Sequence, residues 1–227
     1  MYEYFVKRGL DIILSTVGLV VLFPAFIIVG IVIKVDSPGP VIFTQERVGL
    51  DKQPFQIYKF RTMYVAAPPD APTWKLDDVD SYITEVGKFI RRTSIDELPQ
   101  LYNVLKGDMS LIGPRPVIWG EEELIEERYK RGVYNVLPGL TGLAQISGRD
   151  YVRVSDKARI DQAYAENLTF KQDLEIFTYT IWYVLKSEGI SEGMQERIDE
   201  NYLDLEYKEK VGKERMKKIP GEEGERV

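Results

Sequence analysis

No cysteine and no histidine occur in the 227 residues. The first absence rules out disulfides, thiolate metal sites and cysteine nucleophiles. The second means that any general acid or base must be a carboxylate, a lysine or a tyrosine. With neither thiolate nor imidazole to offer, a metal would be held by oxygen, which selects magnesium, calcium or manganese over zinc. A positive balance is missing too. The 36 acids against 30 bases leave a net charge of −6, which argues against nucleic acid as the main partner. The acids gather in the C-terminal tail, however, while lysines and arginines cluster in the centre. No internal repeat is visible, and the length suffices for one domain with a real core plus appendages.

What is present begins with one long apolar stretch, Ile12 to Ile33, preceded by Lys7 and Arg8 and followed by Lys34. About 20 apolar residues span a bilayer as a helix, so the length permits an anchor. It is too long for a removable leader and lacks a small-residue cleavage site. Pro24 stands in its middle, where the ring removes a backbone N–H and clashes with the carbonyl four residues back. Each half, Asp11–Phe23 and Ala25–Val35, is too short to cross at about 1.5 Å per residue. Two readings stay open on these residues. One is a re-entrant helix–break–helix with both cation-flanked ends in the cytoplasm; the other is a single-pass anchor with a tolerated proline. Asp11 is expected to pair with Arg8, three residues earlier.

Past the turn at Ser37–Pro40, Val41–Thr44 and Phe55–Phe60 read as strands of a hairpin joined through Gly49–Gln53. Lys59 and Arg61 would share the strand face opposite Phe60, either as a solvated face or as a phosphate-binding pair. Residues 65–80, with Pro68, Pro69 and Pro72, read as a surface loop. A helix is expected over Tyr82–Arg92, and another from Leu98 to Leu105, stopped by Gly107. Between them lies Thr93-Ser94-Ile95-Asp96-Glu97-Leu98-Pro99-Gln100-Leu101. Its Ser94-x-x-Glu97 spacing fits a capping box, yet Pro99 sits badly inside a helix so started. A helix start here would also leave Asp96 beside free N–H groups that attract phosphate. Pro114 and Pro116 stiffen the backbone around Arg115, presenting a guanidinium suited to bidentate phosphate capture. Further on, Glu121–Arg131 reads as helix, Leu140–Ile146 as a strand, Ser147–Asp150 as a turn, and Arg153–Asn167 and Phe170–Lys186 as helices. Phe170, Leu174, Phe177, Ile181 and Val184 share one face of the last helix, which fits a core stripe or a helix lying on a bilayer.

Taken together, these blocks resemble the bacterial sugar transferases, the monotopic phosphoglycosyl transferases, in their minimal form. The resemblance rests on Lys7-Arg8-x-x-Asp11 before the Pro24-interrupted run, Phe43-Thr44-Gln45-x-Arg47-x-Gly49, Tyr58–Met63, Ser94–Leu101 and Asn103–Ser110. It continues through Gly113–Pro116, Pro138–Gly142, Ala144-Gln145 and Gly148-Arg149, in order from residue 7 to about 185. Phe23 before Pro24, Leu137 before the Pro-Gly turn and Asp150 after Gly-Arg depart from the common pattern.

The resemblance implies an α+β fold, mainly helical with a small β-hairpin. It implies a monotopic membrane protein whose N-terminal helix–break–helix is re-entrant, with interfacial amphipathic helices. The expected parts are residues 1–36 as the membrane helix broken at Pro24, 37–190 as a catalytic domain, and 191–227 as a charged tail. The implied activity transfers a sugar 1-phosphate from a UDP-sugar to polyprenol (undecaprenyl) phosphate, releasing UMP, at the cytoplasmic face of the bacterial inner membrane. Asp96 is the implied nucleophile and Glu97 its partner acid, with magnesium at the pair. Lys59, Arg61, Arg91, Arg115, Gln145 and Arg149 are the implied substrate contacts. Lys7, Arg8, Asp11 and Pro24 belong to the membrane segment. Membrane lipid is an expected partner; downstream glycosyltransferases and a second copy of the chain stay open. A non-catalytic membrane scaffold and a magnesium-dependent nucleotide-sugar hydrolase are the alternatives.

Overall fold

A computed structural model describes residues 2–68, 79–147 and 154–186. Most of the expected 65–80 loop, the Gly148–Asp150 part of the turn, and the tail lie outside the described residues, as does Arg149.

A turn of π-helix, Tyr2–Lys7, leads into α1, Arg8–Asp36. The two expected halves are a single helix of 29 residues with Pro24 inside it. Proline removes only its own N–H from the ladder, which apolar helices tolerate when packing holds both sides of it. Here both sides are held. Asp11 and Ser15 are buried, an added Cβ on Gly18 would touch Leu101, Phe26 meets the Phe60 ring edge-on, and Ile33 is buried against Phe60 and Ile90. These positions are three, four, seven or eight residues apart, whole turns of one helix face. That face rests on the globular body from end to end, while Ile13, Val17, Val20, Phe23, Ile28 and Ile31 on the outer face are exposed. By length and composition, α1 is apolar enough to cross a bilayer.

The hairpin is present: β1, Ile42–Val48, pairs antiparallel with β2, Pro54–Phe60, in register Ile42 to Phe60. A 3₁₀ turn at Leu50–Lys52 joins them. After α2, Val79–Tyr82, and α3, Glu85–Arg92, the chain enters a 3₁₀ segment, Ile95–Gln100, then α4, Leu101–Lys106. Gly107 ends α4 at φ 101°, a left-handed cap. Beyond it come β3, Ser110–Ile112; α5, Glu122–Lys130; β4, Gly139–Thr141; α6, Leu143–Ile146; α7, Val154–Glu166; and α8, Phe170–Lys186. β3 and β4 form a parallel pair. The strand expected over Leu140–Ile146 is therefore β only to Thr141 and helical after Gly142.

The face of α8 bearing Phe170, Leu174, Phe177 and Ile181 is exposed, and Trp182 beside it likewise. The inward face is Asp173, Ile176 and Thr180, with Thr180 hydroxyl-bonded to Thr141. The core alternative for that stripe does not hold. Asp173 instead anchors the N-terminus: Tyr2 and Lys7 donate to its Oδ2, each at 2.7 Å, and the Tyr164 hydroxyl lies 2.8 Å from Oδ1. The expected Arg8–Asp11 pair is replaced by two backbone contacts. Arg8 donates to the Val104 and Leu105 carbonyls at the end of α4, and Asp11 accepts from the Leu111 N–H. A cation at a helix C-terminus and a carboxylate on a bare N–H are each better satisfied there than by one another.

Candidate active site

The site is assembled where the end of β2 meets the Ile95–Gln100 segment and the turn after β3. Ser94 takes φ 57°, in the left-handed region, and makes no side-chain cap. The capping box expected from the Ser94–Glu97 spacing therefore does not form. Freed from capping, Glu97 turns to two cations. Lys59 Nζ donates to its Oε1 at 2.9 Å; Arg115 Nη2 donates to the same oxygen at 2.7 Å and Nη1 to Oε2 at 3.3 Å. Burial alone would raise the Glu97 carboxyl, but the Arg115 and Lys59 charges hold it well below the usual carboxylate range. Asp96, the preceding residue, is buried at 6 % exposure. The Arg115 side chain is the most open of the trio, at 39 %.

Lys59, Glu97 and Arg115 thus converge beside Asp96. Three of the other expected contacts have hydrogen-bond partners of their own. Arg61 is buried, its guanidinium donating to the Ser37 and Pro38 carbonyls at 2.7 Å each. β2 ends at Phe60, so strand alternation no longer governs Arg61, and the carbonyls beyond α1 supply acceptors. Arg91 Nε donates to Thr62 Oγ1 at 2.8 Å, fastening the last turn of α3 to the end of β2. Close approach makes that junction specific, since a Cβ on Gly87 would collide with the Thr62 carbonyl. Gln145 Nε2 donates to the Leu140 carbonyl at 3.3 Å, within its own turn.

Two supports were not singled out from sequence. Asn103 is fully buried; its Oδ1 accepts from Tyr58 N–H and its Nδ2 donates to the Gln56 carbonyl at 2.6 Å. It acts as one more strand edge for β2 and so places Lys59; an asparagine inside a short helix was the available signal. Glycines bring the backbone below Arg115 together: a Cβ on Gly139 would strike Gly113 N, and one on Gly142 would strike the Gly113 carbonyl.

Magnesium commonly takes one or two carboxylates plus substrate phosphate oxygens. Asp96 fits that pattern. Glu97, with both oxygens on cations, does not fit as a ligand in this arrangement. No group of three or more acids that could hold a metal occurs among the described residues.

The sequence profile described as "Bacterial sugar transferase" matches residues 2–187. An Aeromonas hydrophila protein named UDP-N-acetylgalactosamine-undecaprenyl-phosphate N-acetylgalactosaminephosphotransferase is 38% identical over 195 residues, 82% of this chain and 45% of its own length. An uncharacterized sugar transferase of Bacillus subtilis is 44% identical over 161 residues, covering 71% of this chain and 78% of its own. The undecaprenyl-phosphate galactose phosphotransferase of Salmonella typhimurium is 40% identical over 202 residues, 82% of this chain and 41% of its own. The chain thus spans less than half the length of the first and third of these relatives.

Proposed function

The chain belongs to the bacterial sugar transferase family, and we propose that it moves a sugar 1-phosphate from a UDP-sugar to undecaprenyl phosphate at the cytoplasmic face of the inner membrane. The observation that carries this reading is the convergence of Lys59, Glu97 and Arg115 beside a buried Asp96. An Asp96 oxygen attacks the β-phosphorus of the donor; the bond to the bridging oxygen breaks and UMP leaves. An oxygen of the lipid phosphate then attacks the same phosphorus, and the bond to Asp96 breaks, restoring the carboxylate. Neither attacking oxygen carries a proton to be removed, which suits a chain without histidine. A carboxylate approaching a diphosphate meets like-charge repulsion, so fixed cations must neutralise the electrophile first. Arg115 and Lys59, both held on Glu97 next to Asp96 in the chain, would supply that charge. Glu97 keeps both cations in place and, ionised so firmly, is a poor proton carrier. Magnesium, held by Asp96, would supply further charge neutralisation on the phosphates.

Support for the membrane side comes from α1. Its inner face rests on the body along its whole length, leaving the outer face of valines, isoleucines and Phe23 without a protein partner among the described residues. Removing such a side chain from water contributes roughly 1.5–3 kcal/mol. A re-entrant seat satisfies that face with both ends on one side, and the exposed α8 stripe suits the same interface.

The deciding experiment measures UMP release from a panel of UDP-sugars with undecaprenyl phosphate in detergent or vesicles. Activity with at least one donor is expected, and Asp96→Asn should lower it by at least about 10³-fold. Undiminished turnover in Asp96→Asn would sink the covalent role. Equal release without lipid phosphate would turn the reading toward a hydrolase.

A further inference from the structure

Behind Arg115 lies an ion pair that the proposed chemistry does not use. Arg128 on α5 and Asp161 on α7 are 3 % and 1 % exposed. Arg128 Nε donates to Asp161 Oδ2 at 2.9 Å, and Nη2 lies 2.6 Å from the same oxygen. The remaining arm, Nη1, donates to the backbone carbonyl of Arg115 at 2.7 Å. Burying two charges is costly, and a well-packed apolar pair often stabilises a fold as well or better, so stability is a weak reason for this one. An apolar pair could not offer an N–H to the Arg115 carbonyl.

The rest of the turn shows how fully this stretch is fixed. The Pro114 carbonyl accepts from Gly139 N–H at 2.9 Å, the Pro116 carbonyl from Arg47 at 3.4 Å, and the Val117 carbonyl from Val48 N–H at 3.0 Å. The two prolines restrict φ on either side of Arg115. Its own carbonyl is tied by a side chain, and that side chain is itself fixed by Asp161. A long guanidinium arm magnifies any rotation of the peptide that carries it, and misplacement of about 1 Å can cost on the order of 10²-fold in rate.

We propose that Arg128, clamped by Asp161, is a positioning residue that fixes where Arg115 presents its guanidinium to the donor diphosphate. The proposal rests on the reading of Arg115 as a phosphate contact. It makes the α5–α7 pair part of donor recognition without touching the donor.

The test is a mutant cycle on the full chain, scored by UMP release and thermal melting. It compares Arg115→Ala, the apolar swap Arg128→Met with Asp161→Leu, and all three changes together. Arg115→Ala should lower donor kcat/KM by about 10²-fold. The apolar swap should melt as a folded protein, lose about tenfold in donor kcat/KM, and keep its KM for the lipid acceptor. Combining all three should cost no more than Arg115→Ala alone, because Arg128 acts only through Arg115. Multiplying losses, or a fully active swap, would overturn the proposal. Should the swap not fold, Arg128→Lys takes its place in the same cycle, since lysine brings one nitrogen where three arginine nitrogens reach Asp161 and the Arg115 carbonyl. Full activity in Arg115→Ala would instead remove the underlying reading of Arg115, and an absence of UMP from the unaltered chain would remove the transferase reading itself.

Discussion

Glu97 shares one carboxylate between Lys59 and Arg115, and its charge offsets the repulsion between those two cations. Glu97→Gln preserves shape and removes that charge. Breaking one side of a largely buried pair costs about 3 kcal/mol, and less here because Arg115 is partly in solvent. Urea unfolding at neutral pH should therefore find the variant less stable by about 1–3 kcal/mol. The pH dependence follows from the sign of the shift. The folded carboxyl titrates below its ordinary 4.5, so the Glu97 contribution is complete above that value. It shrinks as pH falls below 4.5 and disappears once the folded group protonates. The stability gap between the two proteins should thus be flat from pH 8 to 5 and close in stronger acid. A gap that closes between pH 7 and 6 would contradict the geometry. By the same token, the pH–rate profile should show no Glu97 inflection between pH 5 and 8.

Among the elements, the helices were legible where apolar residues recur at helical spacing. Over α5, α7 and α8 the ends differ from expectation by at most a residue or so. The hairpin was legible for the analogous reason, an alternating β2 beside a glycine-led turn. Two features were not. β3 and β4 are three residues each, too short for any periodicity, and their pairing depends on glycines whose purpose shows only when the chains are side by side. The stripe on α8 has the right spacing, but periodicity reports that residues share a face and not what lies against it. In the site, the spacing around Asp96 and Glu97 read locally as a capping box and only the resemblance singled the pair out, whereas the partners of Glu97 come from positions 38 and 18 residues away. The glycine contact gives a clean test. Gly142→Ala would drive a Cβ into the Gly113 backbone and should cost about 1–3 kcal/mol. At roughly 2–4 °C per kcal/mol for a chain of this size, the melting point should fall visibly. Gly9→Ala, where an added Cβ meets nothing within 4 Å, should leave it unchanged or slightly higher.

For the molecule as a whole, the N-terminus is fastened by Asp173 and the far end of α1 by Phe60 and Ile90, so both ends belong to the same body. A cysteine introduced at Glu3 should react with an impermeant thiol reagent only from the cytoplasmic side. Labelling from outside would refute the re-entrant seat and favour a spanning anchor. Val21→Arg, on the exposed face of α1, should weaken co-flotation with vesicles, since an arginine in the apolar layer costs about 2.5–3.5 kcal/mol. It should leave the melting of the detergent-solubilised protein near that of the parent.

The one-faced burial of α1 also has a mechanical side. A helix seated from one side adds area to one leaflet and none to the other, whereas a spanning helix adds to both. On the re-entrant seat proposed above each copy would be a small wedge, and a membrane crowded with them would relax by bowing outward on the face that carries the protein. Small vesicles, whose outer leaflet is already stretched, should accept the chain more readily than flat bilayers of the same lipid.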